Sequence, residues 1–190
     1  MLKVLGAGMP RTGTTSLCEA LKILGYNAID YHPTRIKVEE VKAGGFKVFD
    51  DVEAVTDAPG CFFFREIIEA YPDVRVILTV RDTQDWYDSI ERHCNWIERF
   101  TNTQRRSEAC MIHSLLFNTL WPNEFIWKRQ FLMHNLAVMQ ECKAPLMLID
   151  ICNGDDDEYI WKNICDFLDK PVPDEPFPWK NKSGTRRKIT

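Results

Sequence analysis

The chain alternates between two hydrophobic rhythms. A short apolar run, Lys3 to Gly6, leads through a glycine-spaced turn to Leu17, Ala20, Leu21 and Leu24 at helical spacing, with Gly25 as a stop. Asn27 to Tyr31 predicts a second strand, ended by His32-Pro33 because proline keeps its predecessor out of the helical region. Thr34 to Gly45 predicts a charged helix, Phe46 to Asp51 and Ala54 to Asp57 brief extended segments, and Asp57-Ala58-Pro59-Gly60 a turn. Cys61 to Tyr71 predicts a largely buried helix halted by Pro72. Val74 to Val80 (VRVILTV) is apolar or β-branched over nearly its whole length, as a central parallel strand covered on both faces must be.

Beyond that strand, Asp82 or Thr83 can cap a helix carrying Trp86, Ile90 and Cys94 at four-residue spacing. Two helices are predicted at Ser107 to Leu120 and Glu124 to Cys142, and a strand at Pro145 to Ile151. Asp155-Asp156-Asp157-Glu158 suits the first turn of a last helix, where acidic residues meet the positive end of the dipole, a commoner use than metal binding. Trp96, Phe117, Trp121 and Trp127 are expected in the core. The stretch 171–190, proline-rich and then basic, is expected to be irregular. Strands alternating with helices indicate an α/β three-layer sandwich with a central parallel sheet, one domain over 1–190, in which ligands bind at the carboxyl ends of the strands.

Composition narrows the function. A length of 190 residues with 45% apolar content suffices for a proper core. Twenty-four basic against 28 acidic residues, a net charge of −4, argues against a general nucleic-acid or membrane-surface binder. Any anionic ligand must therefore be met by a local cluster. Seven scattered cysteines, with no CxxC pair, read as reduced thiols, and no metal cage is evident. No run approaches a membrane span and no signal peptide is visible, so a cytoplasmic protein is expected.

The candidate chemistry begins at Gly6-Ala7-Gly8-Met9-Pro10-Arg11-Thr12-Gly13-Thr14-Thr15-Ser16. A strand, a glycine turn and a helix start together place unpaired N–H groups and the helix dipole where a phosphate can sit, and Arg11 with Thr12, Thr14 and Thr15 adds charge and hydroxyl donors. Gly8 and Gly13 have Walker-loop spacing, but Thr14 stands where that loop needs lysine, which disfavours a nucleotide kinase without removing it as an alternative. A second position of interest is Arg81, at the end of the central strand, with Ser89 eight residues later inside the next helix.

These motifs together resemble the sulfotransferases that use 3′-phosphoadenosine 5′-phosphosulfate (PAPS). The family's strand–loop–helix signature is matched by Pro10-Arg11-Thr12-Gly13-Thr14, and its strand ending in arginine with a following serine by VRVILTVRDTQDWYDS. Thr56-Asp57-Ala58-Pro59 and the run from Tyr71 to Trp86 are most similar to the branch typified by the schistosome prodrug-activating sulfotransferase. The resemblance implies a P-loop-like fold and transfer of a sulfuryl group to a hydroxyl or amine of a small-molecule acceptor, releasing PAP without a metal. It implies that Pro10 to Thr15 hold the 5′-phosphosulfate, with Arg11 stabilising the transferring group, and that Arg81 and Ser89 hold the 3′-phosphate. Asp57 is implied as general base, in a site desolvated enough to raise its pKa, with His32 as the rival and a candidate for the substrate pocket. Lys180, Asn181 and Lys182 correspond to the segment that closes over the nucleotide. Ser16 stands where cytosolic members often place an adenine-stacking tryptophan, and the stretch between His32 and Asp57 is short for the family. A non-catalytic PAP-binding protein is the other reading; the acceptor and the oligomeric state, a homodimer among the options, are not legible.

Overall fold

A computed structural model describes residues 1–30, 48–94, 103–153 and 156–180. In chain order it contains β1 (Val4–Gly6), α1 (Thr14–Ile23), β2 (Ala28–Ile29), β3 (Ala54–Val55), α2 (Phe64–Ala70), β4 (Arg75–Thr79), α3 (Thr83–Cys94), α4 (Thr103–Phe117), α5 (Glu124–Glu141), β5 (Leu146–Ile149) and α6 (Asp157–Leu168). The strands form a five-stranded sheet in the order β2-β3-β1-β4-β5, with every pairing parallel. The expected α/β architecture is therefore the one observed.

Alternation along the strands assigns side chains to the two faces. Val4 and Ile77 join Leu17, Leu21, Ile160, Trp161 and Ile164 under α1 and α6. Leu5, Val76 and Leu78 point the other way, to Phe64 and Ile67 of α2 and Val138 of α5. A third cluster sits beyond the sheet's carboxyl edge, where Trp86 stacks on Phe131 and Phe117 on Trp127, each with ring centroids 4.3 Å apart.

Several boundaries differ from the sequence expectation. Residues 48–51 are turn, not extended chain, and α2 starts at Phe64 because Cys61 and Phe62 donate back to Asp57 and Pro59 in turns. β2 ends before Asp30, and Trp121 is 55% exposed while Trp127 and Phe117 are core. The predicted helix from Thr34 to Gly45, His32 and Trp96 lie outside the described residues.

The strand order fixes the site. From β1 the chain passes through α1 to β2 and β3 on one side of the sheet, and then to β4 and β5 on the other. This is a topological switch point, with a crevice at the carboxyl end of β1 between those of β3 and β4. The segments leaving those three strands carry Arg11, Asp57 and Arg81 respectively.

Candidate active site

The turn after β1 is held by packing as much as by hydrogen bonds. Gly8 lies against β4: a Cβ there would meet Thr79 Oγ1 at 1.9 Å, so no larger residue fits. Thr12 is wholly buried and ties the turn, donating to the Met9 carbonyl at 2.7 Å and lying 2.5 Å from the Thr79 hydroxyl. Its hydroxyl is therefore committed to the loop itself. Trp86 Nε1 donates to the Pro10 carbonyl at 2.9 Å, clamping the loop to α3. Gly13, at φ +95°, caps α1, whose first-turn N–H groups have no intrahelical acceptor and face the crevice at the positive end of the helix dipole.

Arg11 and Arg81 stand side by side. Arg11 Nε donates to Ser89 Oγ at 3.2 Å, while Arg81 Nη1 donates to the Arg11 carbonyl at 3.0 Å. Burial and the neighbouring Arg81 both lower the pKa of Arg11 from its usual value. Arg81 Nε is buried without a hydrogen-bond partner among the described residues. Two neighbouring guanidinium groups, one with an orphaned donor, form an environment that an anion relieves. Ser89, 2% exposed, sits beneath Arg11 and reaches the site through it. Since its oxygen accepts from Arg11, the Ser89 O–H remains a donor.

Asp57 adjoins the start of α1. It lies at φ +66° and Arg11 at φ +74°, a region non-glycine residues rarely occupy, which costs about 1–3 kcal/mol each. Ala58 N–H donates to Asp57 Oδ1 at 2.6 Å and Thr14 Oγ1 to Oδ2 at 2.9 Å, so the carboxyl is aimed from the strand end at the loop. Burial, with the nearby Asp30 charge second, pushes its pKa up to about 7 against the pull of these bonds and Arg11. Asp30, at the end of neighbouring β2, accepts from Thr56 Oγ1 at 2.7 Å.

The tail supplies one more cation. Asp157 of α6 accepts from Phe177 N–H at 3.0 Å and from Trp179 Nε1 at 2.6 Å, and Lys180 N–H then donates to Ser16 Oγ at 2.9 Å. Ser16 thus anchors the tail. Asn181 and Lys182 lie outside the described residues.

Pro10, Arg11, Thr14, Thr15, Asp57 and Arg81 line one cavity of about 280 Å³, and Gly13 and Lys180 border it as well. Asp30, His93 and His113 border it too, which sequence reasoning missed. Asp30 carried a usable signal, since it ends a strand on the ligand side, and His93 follows Ser89 by one helical turn on the same face. His113 lies within a stripe of buried positions and gave none.

The residues present fit PAPS. It carries anionic groups at both ends of an adenosine, and the N-terminus of α1, Arg11 and Arg81 line the same cavity.

Comparisons with known proteins bear on the family and the fold. The chain is similar to Ava biosynthesis cluster protein M of Aspergillus versicolor, 28% identical over 210 residues that span 93% of this chain and 80% of that protein. Its fold matches a crystal structure of a sulfotransferase from Alicyclobacillus acidocaldarius with a TM-score of 0.54 at 16% identity, covering 93% of this chain and 84% of the other. A family model described as a sulfotransferase domain spans residues 3–186, nearly the whole sequence, and the chain belongs to that family.

Proposed function

We propose that the protein transfers a sulfuryl group from PAPS to a hydroxyl of a small-molecule acceptor, as a relative of the branch typified by the schistosome prodrug-activating sulfotransferase. The observation that carries this reading is that Arg11, Arg81 and the N-terminus of α1 line one cavity together with the buried carboxyl of Asp57, which accepts from Thr14 at the start of α1. In such a reaction the bond from sulfur to the departing 5′-phosphate oxygen breaks, a bond from sulfur to the acceptor oxygen forms, and the acceptor's proton must go to a base. Asp57 takes that proton: a carboxylate whose pKa lies near 7 is a far better acceptor than an ordinary one. Arg11 and the N–H groups of the first turn of α1 are fixed in advance where negative charge gathers on the transferring and departing oxygens, which costs no reorganisation during the step. Thr14 orients the base through its bond to Oδ2. Arg81 holds the 3′-phosphate, Ser89 keeps Arg11 in place, and Lys180 borders the nucleotide from the tail.

Isothermal titration with PAP, ADP and ATP tests the donor. A bisphosphate preference of at least tenfold over ADP is expected, with Arg81→Ala weakening PAP by at least tenfold and ADP by much less. Equal or tighter binding of ATP would sink the reading.

A further inference from the structure

α5 is apolar on two opposite faces. On the inner face Trp127, Phe131 and Val138 are buried, and His134 on the same side donates from Nε2 to the Ala7 carbonyl at 2.7 Å. The outer face carries Phe125, Leu132, Met133, Leu136 and Met139, which are 42% to 78% exposed. On a helix of 3.6 residues per turn these five project within about 120° of one another, opposite the buried set. Seven of the thirteen large apolar side chains exposed among the described residues lie between Leu120 and Met139, the other two being Leu120 and Trp121 in the turn before α5. The exposure is therefore a concentrated patch and not a scatter. A helix that is apolar all round is one that is covered all round.

The patch is complementary to itself. Phe125, Leu132 and Met139 recur every seven residues, with Leu136 four beyond Leu132, which is the repeat of a helix-to-helix seam. Between Phe125 and Met139 the one exposed charge is Arg129. A parallel pair of these helices would set Arg129 against its own counterpart. An antiparallel pair, turned about a two-fold axis between Leu132 and Leu136, sets each of those leucines against the other on the second copy and lays Met139 over the stem of Arg129. The charges that flank the stripe are matched inside the chain, Lys128 with Glu124 at 2.6 Å on one side and Arg65 with Glu141 at 2.6 Å on the other. They make a polar rim around an apolar centre, as protein interfaces have. The seven side chains expose about 700 Å², and the roughly 800 Å² per partner of a standard stable interface is reached once the rim is added. A membrane surface suits the patch less, since helices that lie on lipid carry many lysines and arginines beside their apolar face and this chain has a net charge of −4.

We infer that α5 is the interface of a homodimer, in which two copies pack their outer α5 faces antiparallel about a two-fold axis. No residue of α5 lines the cavity, so the seam lies outside the site. Nothing in this packing depends on which group the cavity transfers.

Sedimentation velocity of the unmodified chain from about 1 to about 100 μM is the test, and a species of twice the 22.2 kDa chain mass is expected. The pair of substitutions Leu132→Glu and Leu136→Glu, and separately Leu132→Lys and Leu136→Lys, should each give a monomer with an unchanged circular dichroism spectrum. An equimolar mixture of the two variants should return the dimer, because carboxylates then face ammonium groups across the seam. A monomer at every concentration overturns the inference, as does a dimer that both charged variants keep, which puts the interface elsewhere. A monomer that floats with phosphatidylcholine and phosphatidylserine vesicles gives the face to lipid and equally overturns it. If the charged variants do not fold, hydroxyl-radical footprinting of the unmodified protein over the same concentrations decides. Phe125, Met133 and Met139 should lose most of their reactivity on association, and undiminished reactivity in the dimer overturns the inference.

Discussion

Asp57 combines two costs that a structural aspartate would not carry. Its backbone sits at φ +66°, and its carboxyl is buried beside Asp30. Because its pKa stands at about 7 in the folded chain against an ordinary 3.8, folding takes up a proton between those values, and this contribution to stability is complete below the lower value and lost as pH rises through the upper. Asp57→Asn keeps the acceptor for Ala58 N–H and never ionises, so its melting temperature should exceed that of the unmodified protein at pH 8, with the gap closing toward pH 4, in a thermal scan across that range. On the proposed reaction the same substitution should lower kcat by about a hundredfold or more with PAP affinity within a few fold, because it removes the proposed proton acceptor. For the unmodified enzyme, kcat/KM should fall on the acid side with an apparent pKa near 7. Asp30 raises that value through space, so Asp30→Asn should move the acid limb to lower pH. A purely structural Asp30 would leave the limb where it is.

The elements differ in how openly the sequence declares them. β4, α3 and the acidic start of α6 were legible because each follows one local rule: a β-branched run, an aspartate cap, a dipole-matched first turn. Asp82 Oδ1 does accept from Gln84 and Asp85 N–H groups, at 2.8 and 3.0 Å. α5 was legible as a helix but not in its orientation, since it is apolar on several faces: Trp127, Phe131 and Val138 are buried while Phe125, Leu132, Leu136 and Met139 are exposed. The loop side of the cavity was legible because strand ends and a glycine loop are sequence-local features. The part of the cavity lined by Ile90 and α4 was not, because it depends on which face of α4 meets α3. Nor could the task of Asp157, which serves the first turn of α6 but also accepts two hydrogen bonds from a tail twenty residues away. Asp157→Ala should release that tail, lowering stability by about 1–3 kcal/mol in urea unfolding. It should also weaken PAP several-fold, since Lys180 would no longer be fixed at Ser16. Lys180→Ala should weaken PAP without the loss of stability, separating the charge from its anchor.

At the scale of the whole molecule, a chain of net charge −4 brings two guanidinium groups together at the carboxyl edge of the sheet, with Arg81 Nε buried and without a hydrogen-bond partner among the described residues. No helix among the described residues is long and apolar enough to cross a membrane, and the sheet, its two covering layers and the aromatic cluster of α3 to α5 all bear on the crevice. The ligand-free fold therefore carries a local cost that a polyanion removes, and binding should appear as stability. At a PAP concentration a hundred times the dissociation constant, linkage adds about 2.7 kcal/mol. For a chain of this size that is a rise of roughly 5–10 °C in melting temperature, read by differential scanning calorimetry. ADP at the same concentration should give a clearly smaller rise, since it lacks the 3′-phosphate that Arg81 would meet. In Arg81→Ala the ligand-free melting temperature should hold or increase, because a like charge and an orphaned donor are gone, while the PAP-induced rise shrinks toward that of ADP. A variant that melts much earlier without ligand yet keeps the full PAP response would show that Arg81 braces the fold and leaves the anion to Arg11 and α1 alone.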